Sequence, residues 1–319
     1  MIRRIIIAVS ILTMGVFCTV IAEAYWEWTP KTGKWINPKH AVKATSKEQF
    51  EYGMELYNSR DYDKAILEFK KLIKNYSSSE EAPEAQYTIG LIYEDKGEYY
   101  EAFKSYQKVT EEYPATERIN EIIGREFKIA NLFYEGKRRR VMGVLFIPTI
   151  DKAIDIFRKV IENAPYGEYA DIAQYKIGLC HMKEKNYEEA KAEFEKLINE
   201  YPKSSLTDDA KYQIVLASSL ISLNTPYDQE GTESGIKVSE EFKTEYPESE
   251  LKEDVNGIKA QLKNKEAEKI FNIAKFYEKR KKLTSAKIYY ESLVSDYSET
   301  TWAEEAKKRL EIIGGTDDK

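Results

Sequence analysis

A fixed spacing between small residues recurs along this chain and restricts the folds that the chain can adopt. Four pairs of small residues are separated by twelve positions: Gly53 and Ala65, Gly90 and Ala102, Gly178 and Ala190, Ala274 and Ala286. An eleven-residue interval then leads from the second helix to a hairpin end at six places: Ala65 to Tyr76, Ala102 to Tyr113, Ala153 to Ala164, Ala190 to Tyr201, Gly235 to Tyr246, Ala286 to Tyr297. An offset that recurs six times indicates repeated structural units.

The unit between Ala85 and Pro114 shows what each repeat contains. Small Gly90 allows two helices to approach closely, Gly97 interrupts the first helix, and Tyr113 before Pro114 ends the second. Small residues at a helix contact, neighbouring aromatics and a terminal proline are typical of a tetratricopeptide (TPR) hairpin, which repeats about every 34 residues. Uninterrupted units here recur every 37 residues. The pattern predicts an all-α, right-handed superhelical solenoid of about six TPR hairpins with a C-terminal capping helix.

The same spacing predicts the boundaries of the units. The hairpins are expected at about 46–78, 83–114, 121–165, 172–202, 209–247 and 265–298. The third and fifth are longer than the others, because each contains an insertion between its two helices. A capping helix at 301–313, with Thr301 as N-cap and Glu304 completing a capping box, would cover the open end of the stack. Residues 314–319 would form a polar tail.

The first 24 residues have the composition of a secretory signal peptide. Arg3 and Arg4 precede an apolar run from residue 5 to residue 21, and Ala22-Glu23-Ala24 places small residues where a signal peptidase cleaves. We expect cleavage after Ala24. The alternatives are an uncleaved membrane anchor and lipidation on Cys18, although Phe17 stands where a lipidation signal needs a small residue.

Two segments outside the regular repeats each allow two interpretations. Residues 25–45 combine aromatic residues with prolines and glycine, which predicts an extended leader. We expect its aromatics to lie along the first hairpin, and a docking strap for a partner is the alternative. The insertion at 137–148 joins four consecutive cations to an apolar run. It suits contact with an acidic partner or anionic lipid, or a loop that packs back on the solenoid.

The reactive residues are too few and too scattered to indicate an enzyme. The chain has two histidines and two cysteines, and they do not have the spacing of a zinc site. Neighbouring helix residues point about 100° apart, so Cys180 and His181 do not form a nucleophile pair. A net charge of -6 argues against nucleic acid as the main partner. We therefore expect no catalytic residues, no cofactor and no metal.

The first helices of TPR hairpins line the concave side of a superhelix, so their exposed positions predict a groove. Nine positions about one turn apart are the candidates: Phe50, Met54, Tyr57, Tyr87, Leu91, Glu94, Phe127, Asn131, Tyr134. An extended, aromatic-rich segment of a client protein would bind there against the ring faces. The alternative is that these side chains fill contacts between neighbouring hairpins.

The last hairpin carries a resemblance to a known family. The octapeptide Ile273-Ala274-Lys275-Phe276-Tyr277-Glu278-Lys279-Arg280, the Asp228-Gln229 pair in the preceding insertion and the repeated Tyr-Pro hairpin ends resemble the BamD/ComL family of outer-membrane assembly factors. The resemblance covers about residues 46–313. It implies a non-catalytic scaffold on the inner face of the outer membrane, in the periplasm, that binds the barrel-forming subunit and unfolded outer-membrane proteins.

In that family the C-terminal hairpins meet the barrel-forming subunit. Here the matching stretch carries five cations: Lys275, Lys279, Arg280, Lys281, Lys282. The resemblance therefore places the partner-docking surface on this stretch. TPR hairpins alone do not specify a function, so a periplasmic TPR adaptor for cell-wall or division machinery is the alternative.

Overall fold

A computed structural model of the chain describes residues 26–29, 33–37, 41–136, 139–141, 144–146, 150–224 and 229–317. The predicted signal segment with Cys18 lies outside the described residues. So do His40 and residues 225–228, which belong to the insertion in the fifth hairpin. The chain divides into two compact units, Met1–Thr116 and Glu117–Lys319.

The first unit contains one short strand pair and two helical hairpins. Its elements are β1 (Glu27–Thr29), β2 (Lys34–Ile36), α1 (Ser46–Asn58), α2 (Tyr62–Asn75), α3 (Glu81–Lys96) and α4 (Tyr99–Glu112). Helices α1 and α2 pack together, as do α3 and α4, and α2 also packs on α3. Their buried side chains form a common core that includes Phe69, Leu72, Ile89 and Ile92.

The second unit contains four hairpins and a closing helix. Its elements are α5 (Ile119–Glu135), β3 (Arg139–Val141), β4 (Val144–Phe146), α6 (Ile150–Asn163), α7 (Ala170–Glu184), α8 (Tyr187–Glu200), α9 (Thr207–Asn224), α10 (Gln229–Glu245), α11 (Lys252–Lys279), α12 (Leu283–Asp296) and α13 (Thr301–Asp317). Over its described residues the first insertion is an antiparallel pair of strands, β3 and β4. The predicted all-α solenoid of TPR hairpins is confirmed.

The recurring glycine is explained by an aromatic ring that lies against it. A Cβ atom added to Gly53, Gly90 or Gly178 would lie closer than 3.0 Å to the ring of Phe69, Tyr106 or Phe194, respectively. Each of these rings is fully buried and lies four residues after the small residue of the second helix. The twelve-residue spacing therefore places a bare backbone opposite a ring, which confirms the predicted close approach of the two helices.

In the fifth hairpin, the larger residue lies on the first helix and the glycine lies on the second helix. Val215 of α9 stands at the position that glycine holds in other hairpins, and the small residue is Gly235 of α10. A Cβ on Gly235 would lie 2.8 Å from the side chain of Leu262 in α11, so the close contact is with the next helix. Ser239 takes the place of the ring and donates its hydroxyl proton to the Gly235 carbonyl oxygen.

The tryptophans of the predicted leader do not lie along the first hairpin. Residues 27–29 and 34–36 pair as antiparallel strands, with Trp28 opposite Trp35, and Gly33 adopts a left-handed φ of 64° in the connection. Trp26, Trp28 and Trp35 are 57, 48 and 62 % exposed. The favoured packing interpretation is therefore wrong for these three residues, because strand pairing brings two of the rings together instead.

The N-cap of the closing helix lies one residue before the predicted position. The Thr300 hydroxyl oxygen accepts a hydrogen bond from the Ala303 backbone N–H at 3.3 Å, whereas Thr301 is already the first residue of α13. Glu304 therefore does not occupy the third helical position that a capping box requires. The helix also continues to Asp317, beyond its predicted end at Ile313.

Candidate functional site

The last hairpin, α11 with α12, has a buried ring at the position that a ring holds in every hairpin except the fifth. Tyr290 of α12 is fully buried, and Ala274 of α11 belongs to the same core. The closing helix α13 adds Trp302, whose ring centroid lies 5.1 Å from that of Phe271. This core fixes the end of α11, which carries the five cations singled out in the sequence.

Glu278 is the only acidic residue between Lys275 and Lys282, and its carboxylate is engaged within the protein. It accepts hydrogen bonds from the Tyr290 hydroxyl at 2.9 Å and from Nε of Arg309 in α13 at 3.2 Å. Burial alone would raise the pKa of Glu278, but the hydrogen bonds from Arg309 and Tyr290 outweigh it and lower the pKa. Burial and the neighbouring carboxylate raise the pKa of Tyr290 to about 12. Glu278 is therefore ionised at neutral pH, and Arg309 of α13 neutralises its negative charge.

The five cations around Glu278 form an exposed surface, which we call the cationic edge. Its members are Lys275, Lys279, Arg280, Lys281 and Lys282, and all are exposed. Within the described part of the chain, no ion pair involves any of them. The Arg280 guanidinium lies 4.6 Å from the ring centroid of Phe276, which is itself 50 % exposed. The edge thus offers positive charge and one accessible ring.

Helix dipoles explain only part of this charge. Lys279 is the last residue of α11, where a cation is favourable, but Lys282 is the N-cap of α12, where a cation is not. No acidic residue lies in the first turn of α12. The matching turns of other second helices do contain acids, for example Asp63 in α2 and Glu101 in α4. The stretch from Lys279 to Lys282 therefore begins at the end of α11 and spans the turn to α12, so the helix dipole favours only its first cations.

The predicted groove residues of the first unit are largely engaged in packing. Tyr87 is only 4 % exposed and packs against Tyr106 with 5.7 Å between ring centroids, so its assignment to an open groove is wrong. Phe50 packs on Phe69 at the same distance, and the Tyr57 hydroxyl donates to Asp95 at 3.3 Å. The remaining three positions are half-buried: Met54, Leu91, Glu94. Glu94 accepts the hydroxyl hydrogen bond of Tyr106.

The three predicted groove residues of the second unit are half-buried and also make internal contacts. Phe127 stacks on Tyr169 of the next hairpin, with ring centroids 4.8 Å apart. The Asn131 side chain donates to the Phe127 carbonyl oxygen. Nζ of Lys183 lies 3.6 Å from the ring centroid of Tyr134 and donates to its carbonyl oxygen. These contacts fit the alternative that the side chains join neighbouring hairpins, and client binding at them stays a prediction.

Sequence reasoning missed a buried polar contact that recurs with a 19-residue offset. The side-chain amides of Gln49, Gln86 and Gln174 donate to the backbone carbonyl oxygens of Glu68, Ser105 and Glu193 at 3.2, 3.0 and 2.9 Å. Each glutamine lies four residues before the small residue of its first helix. That regular placement is the sequence signal that could have revealed the contact. The hydrogen bond from the glutamine joins the two helices of a hairpin.

A cavity of about 380 Å³ between α2, α3 and α4 was also not anticipated. Ile73, Ile89 and Gln86 line it together with two pairs of lysines on α2 and α4: Lys70, Lys74, Lys104, Lys108. Lys104 forms an ion pair with Glu101 at 2.6 Å. The acids Glu101 and Glu112 belong to the same lining and offset part of the charge of the four lysines.

The reactive residues of the described chain do not form a catalytic arrangement. Burial raises the pKa of Cys180 to about 12, so its sulfur carries a proton at neutral pH. The neighbouring His181 is half-buried, and its Nδ1 atom makes no hydrogen bond to another described residue. Among the described residues, no group of three or more His, Cys, Asp and Glu side chains is placed to hold a metal ion. Nor do these residues include a helix with the length and apolar character of a membrane span.

Solved TPR structures show distant similarity to the chain. The TPR protein YrrB, described as having an unusual peptide-binding site, is 16 % identical over 69 % of this chain and 94 % of its own, with a TM-score of 0.32. A TPR protein from Parabacteroides merdae is 17 % identical over 85 % and 96 %, with a TM-score of 0.31. The C-terminal part of a TPR protein from Cytophaga hutchinsonii is 16 % identical over 82 % and 87 %, with a TM-score of 0.34. At these identities the similarity concerns the fold alone.

Family models divide the chain in a similar way to its two compact units. A tetratricopeptide repeat model matches residues 51–116, inside the first unit. The model YfiO, described as an outer membrane lipoprotein, matches residues 146–313, which include the cationic edge. A comparison with curated proteins gave no match. Because the second model covers more than half of the 319 residues, the chain belongs to the YfiO family of outer membrane lipoproteins.

Proposed function

We propose that this protein is a non-catalytic scaffold of the machinery that assembles β-barrel proteins in the outer membrane. It docks through the cationic edge on the periplasmic domains of the barrel-forming subunit and helps to receive unfolded outer-membrane proteins. The observation that carries the proposal is the cationic edge itself, which lies in the family-matched region and has its only acid, Glu278, paired inward with Arg309. The resemblance of the closing hairpin to BamD/ComL sequences supplies the partner.

The charge distribution suits recognition of an acidic partner domain. The chain as a whole has a net charge of -6, yet the edge presents five cations without an ion pair among the described residues. Such a patch steers a partner of opposite charge and raises the association rate more than the final affinity. The exposed ring of Phe276, which lies against Arg280, adds apolar area to the same surface.

The proposal places the protein in the periplasm at the inner face of the outer membrane. Cleavage after Ala24 would give a mature N-terminus at Tyr25, whereas the family description also suits a lipid on Cys18. Intact-mass measurement of the native protein distinguishes these forms. A mass that starts at Tyr25 supports cleavage there, and a mass with a diacylglyceryl group on Cys18 contradicts it.

An affinity pull-down from detergent-solubilised envelope tests the scaffold role. The bait is the full chain, compared with Arg280→Glu/Lys282→Glu and with the matched variant Lys196→Glu/Lys203→Glu, whose lysines are exposed on another hairpin. Mass spectrometry should find a β-barrel assembly subunit with the unmodified chain and the matched variant, and much less of it with the edge variant. Recovery of cell-wall or division proteins instead would contradict the scaffold role and support the adaptor alternative.

A further inference from the structure

Three of the four tryptophans of the chain lie in the β1–β2 hairpin and are exposed. Trp28 and Trp35 are paired across the two strands, and their rings meet edge to face with centroids 5.7 Å apart. Trp26 immediately precedes β1, two positions before Trp28, and continuation of the extended chain by one residue puts it on the same face, because side chains alternate along an extended chain. We call this surface, made of Trp26, Trp28 and Trp35, the tryptophan face.

The tryptophan face is a large apolar surface that the described residues leave open to solvent. Its three side chains are 57, 48 and 62 % exposed, although the same protein buries rings such as Tyr106 and Tyr290 completely. Exposed apolar patches of this kind mark contacts with a partner or a membrane. Tryptophan combines a large apolar ring with one N–H donor, which suits the boundary between lipid headgroups and acyl chains.

The charge of the segment indicates which surface covers the face. Residues 25–45 contain four lysines, Lys31, Lys34, Lys39 and Lys43, and a single acid, Glu27. A cationic segment with exposed tryptophans is the combination that binds anionic lipid surfaces. This local excess of positive charge contrasts with the net charge of -6 of the whole chain.

We propose that the tryptophan face binds the lipid surface of the outer membrane, with its rings at the level of the headgroups. Trp26 is eight residues from Cys18 and five from Ile21, the last residue of the apolar run. An extended chain spans at most about 3.6 Å per residue, so a lipid on Cys18 would hold Trp26 within roughly 29 Å of the bilayer. A retained apolar run would hold it nearer. In a form cleaved after Ala24, the tryptophan face is the means of peripheral attachment.

This inference does not depend on the scaffold role. It uses only the β1–β2 hairpin, the charge of residues 25–45 and membership of an outer membrane lipoprotein family. Loss of the cationic edge would leave lipid binding by the tryptophan face unchanged, so the two proposals can fail separately.

Tryptophan fluorescence tests the inference on the full chain, because Trp302 is the only tryptophan outside the hairpin. In the variant Trp302→Phe, all of the tryptophan fluorescence comes from the tryptophan face. The complementary variant Trp26→Ser/Trp28→Ser/Trp35→Ser reports only on Trp302, which packs against Phe271. Both are mixed with vesicles of phosphatidylethanolamine and phosphatidylglycerol, with and without a quencher attached to the acyl chain near the headgroup. Helicity measured by circular dichroism checks that both variants fold.

The expected result is a blue shift and strong lipid-borne quenching for Trp302→Phe, with loss of quenching by aqueous iodide. The complementary variant should show neither change. Replacement of phosphatidylglycerol by phosphatidylcholine should weaken the binding of Trp302→Phe. The inference is overturned if the hairpin tryptophans stay accessible to iodide and escape the lipid-borne quencher. It is equally overturned if the blue shift needs no vesicles and grows with protein concentration, because a second copy of the chain would then cover the face.

Discussion

The second and the last hairpins share their internal contacts and differ at the turn that joins their helices. In both, a small residue of the first helix lies twelve residues before that of the second, and a buried tyrosine follows four residues later, Tyr106 or Tyr290. In both, the tyrosine hydroxyl donates to a glutamate on the first helix, Glu94 or Glu278. The interior of the repeat is thus the same although the two hairpins lie in different units.

The turns between the helices differ in whether the matching cation has an acidic partner. In the second hairpin, Lys96 forms ion pairs with Asp63 at 3.0 Å and with Glu98 at 3.3 Å. In the last hairpin, the corresponding Arg280 has no carboxylate partner among the described residues and is followed by two more lysines. In these two hairpins the buried positions make the same contacts, whereas the turns differ in charge. The comparison teaches that hairpins with the same interior can present different charges at the turn between their helices.

Truncation of the buried tyrosines should have the most severe effect and should be similar in the two hairpins. Tyr106→Ala and Tyr290→Ala each remove a fully buried ring and leave a cavity, at a cost of roughly 3–5 kcal/mol. Chemical denaturation monitored by helicity measures the loss. Tyr166→Ala is the control, because Tyr166 is 94 % exposed and should change the stability by less than about 0.5 kcal/mol. A large loss in only one hairpin would show that the two interiors are not equivalent.

A methyl group at the contact between the two helices should affect the stability of the two hairpins differently. Gly90→Ala places a Cβ against the buried Tyr106 ring and should destabilise the first unit by about 1–3 kcal/mol. The last hairpin already has Ala274 at this position, so its helices accommodate the methyl group. Gly257→Ala is the matched control in a helix, since no atom beyond the neighbouring residues and the backbone of the same helix lies within 4 Å of an added Cβ there. That variant should be neutral or stabilised by up to about 1 kcal/mol, measured by thermal unfolding.

Substitution of the residue with a left-handed backbone in each turn should give a smaller difference in stability between the two hairpins. Gly97 has a φ of 72°, so Gly97→Ala should cost about 1–2 kcal/mol. Lys281 has a φ of 59° and already carries a side chain, so Lys281→Gly relieves strain and should stabilise the hairpin by less than about 1 kcal/mol. Thermal melts of the two variants under the same conditions check the opposite signs. Equal destabilisation by both changes would argue against the assigned turn conformations.

The Glu278–Arg309 contact should give the smallest effect, and one that depends on pH. Arg309→Gln removes the ion pair and should cost roughly 1 kcal/mol or less at pH 7, because Arg309 is partly exposed. The pKa of Glu278 is lowered in the folded state, so its contribution is present above its ordinary value of 4.5 and is lost as the pH falls. The difference between the two proteins should therefore shrink at acidic pH. Lys307→Gln, on the exposed side of α13, should show no such pH dependence.

The repeat could be predicted from the sequence because small residues and rings at fixed offsets report directly on packing. The exposure of Tyr87 could not be predicted, because α3 packs against α2 and α4 and every residue from Ala85 to Gly90 is buried. A helix covered on several sides has no single solvent face for periodicity to reveal. The β1–β2 hairpin was missed because Pro30 and Gly33 indicate only the absence of a helix, while pairing of Trp28 with Trp35 is a non-local contact.

The cationic edge was predicted as a set of residues, but its physical basis was not visible in the sequence. Spacing alone does not show that Glu278 turns inward to Arg309, since 31 residues separate them. The resemblance pointed to this stretch of chain, and the structure adds that the one acid within it, Glu278, is hydrogen-bonded to Arg309 of α13.

The kinetics of association with the purified periplasmic domains of the barrel-forming subunit test the role of the cationic edge most directly. The association rate should fall steeply with salt, because the screening length shrinks from about 10 Å at 0.1 M to about 3 Å at 1 M. Arg280→Glu/Lys282→Glu should slow association at low salt and flatten this dependence, whereas Lys196→Glu/Lys203→Glu should leave both close to those of the unmodified chain. An unchanged rate and salt dependence in the edge variant, with unchanged helicity, would contradict docking through this edge.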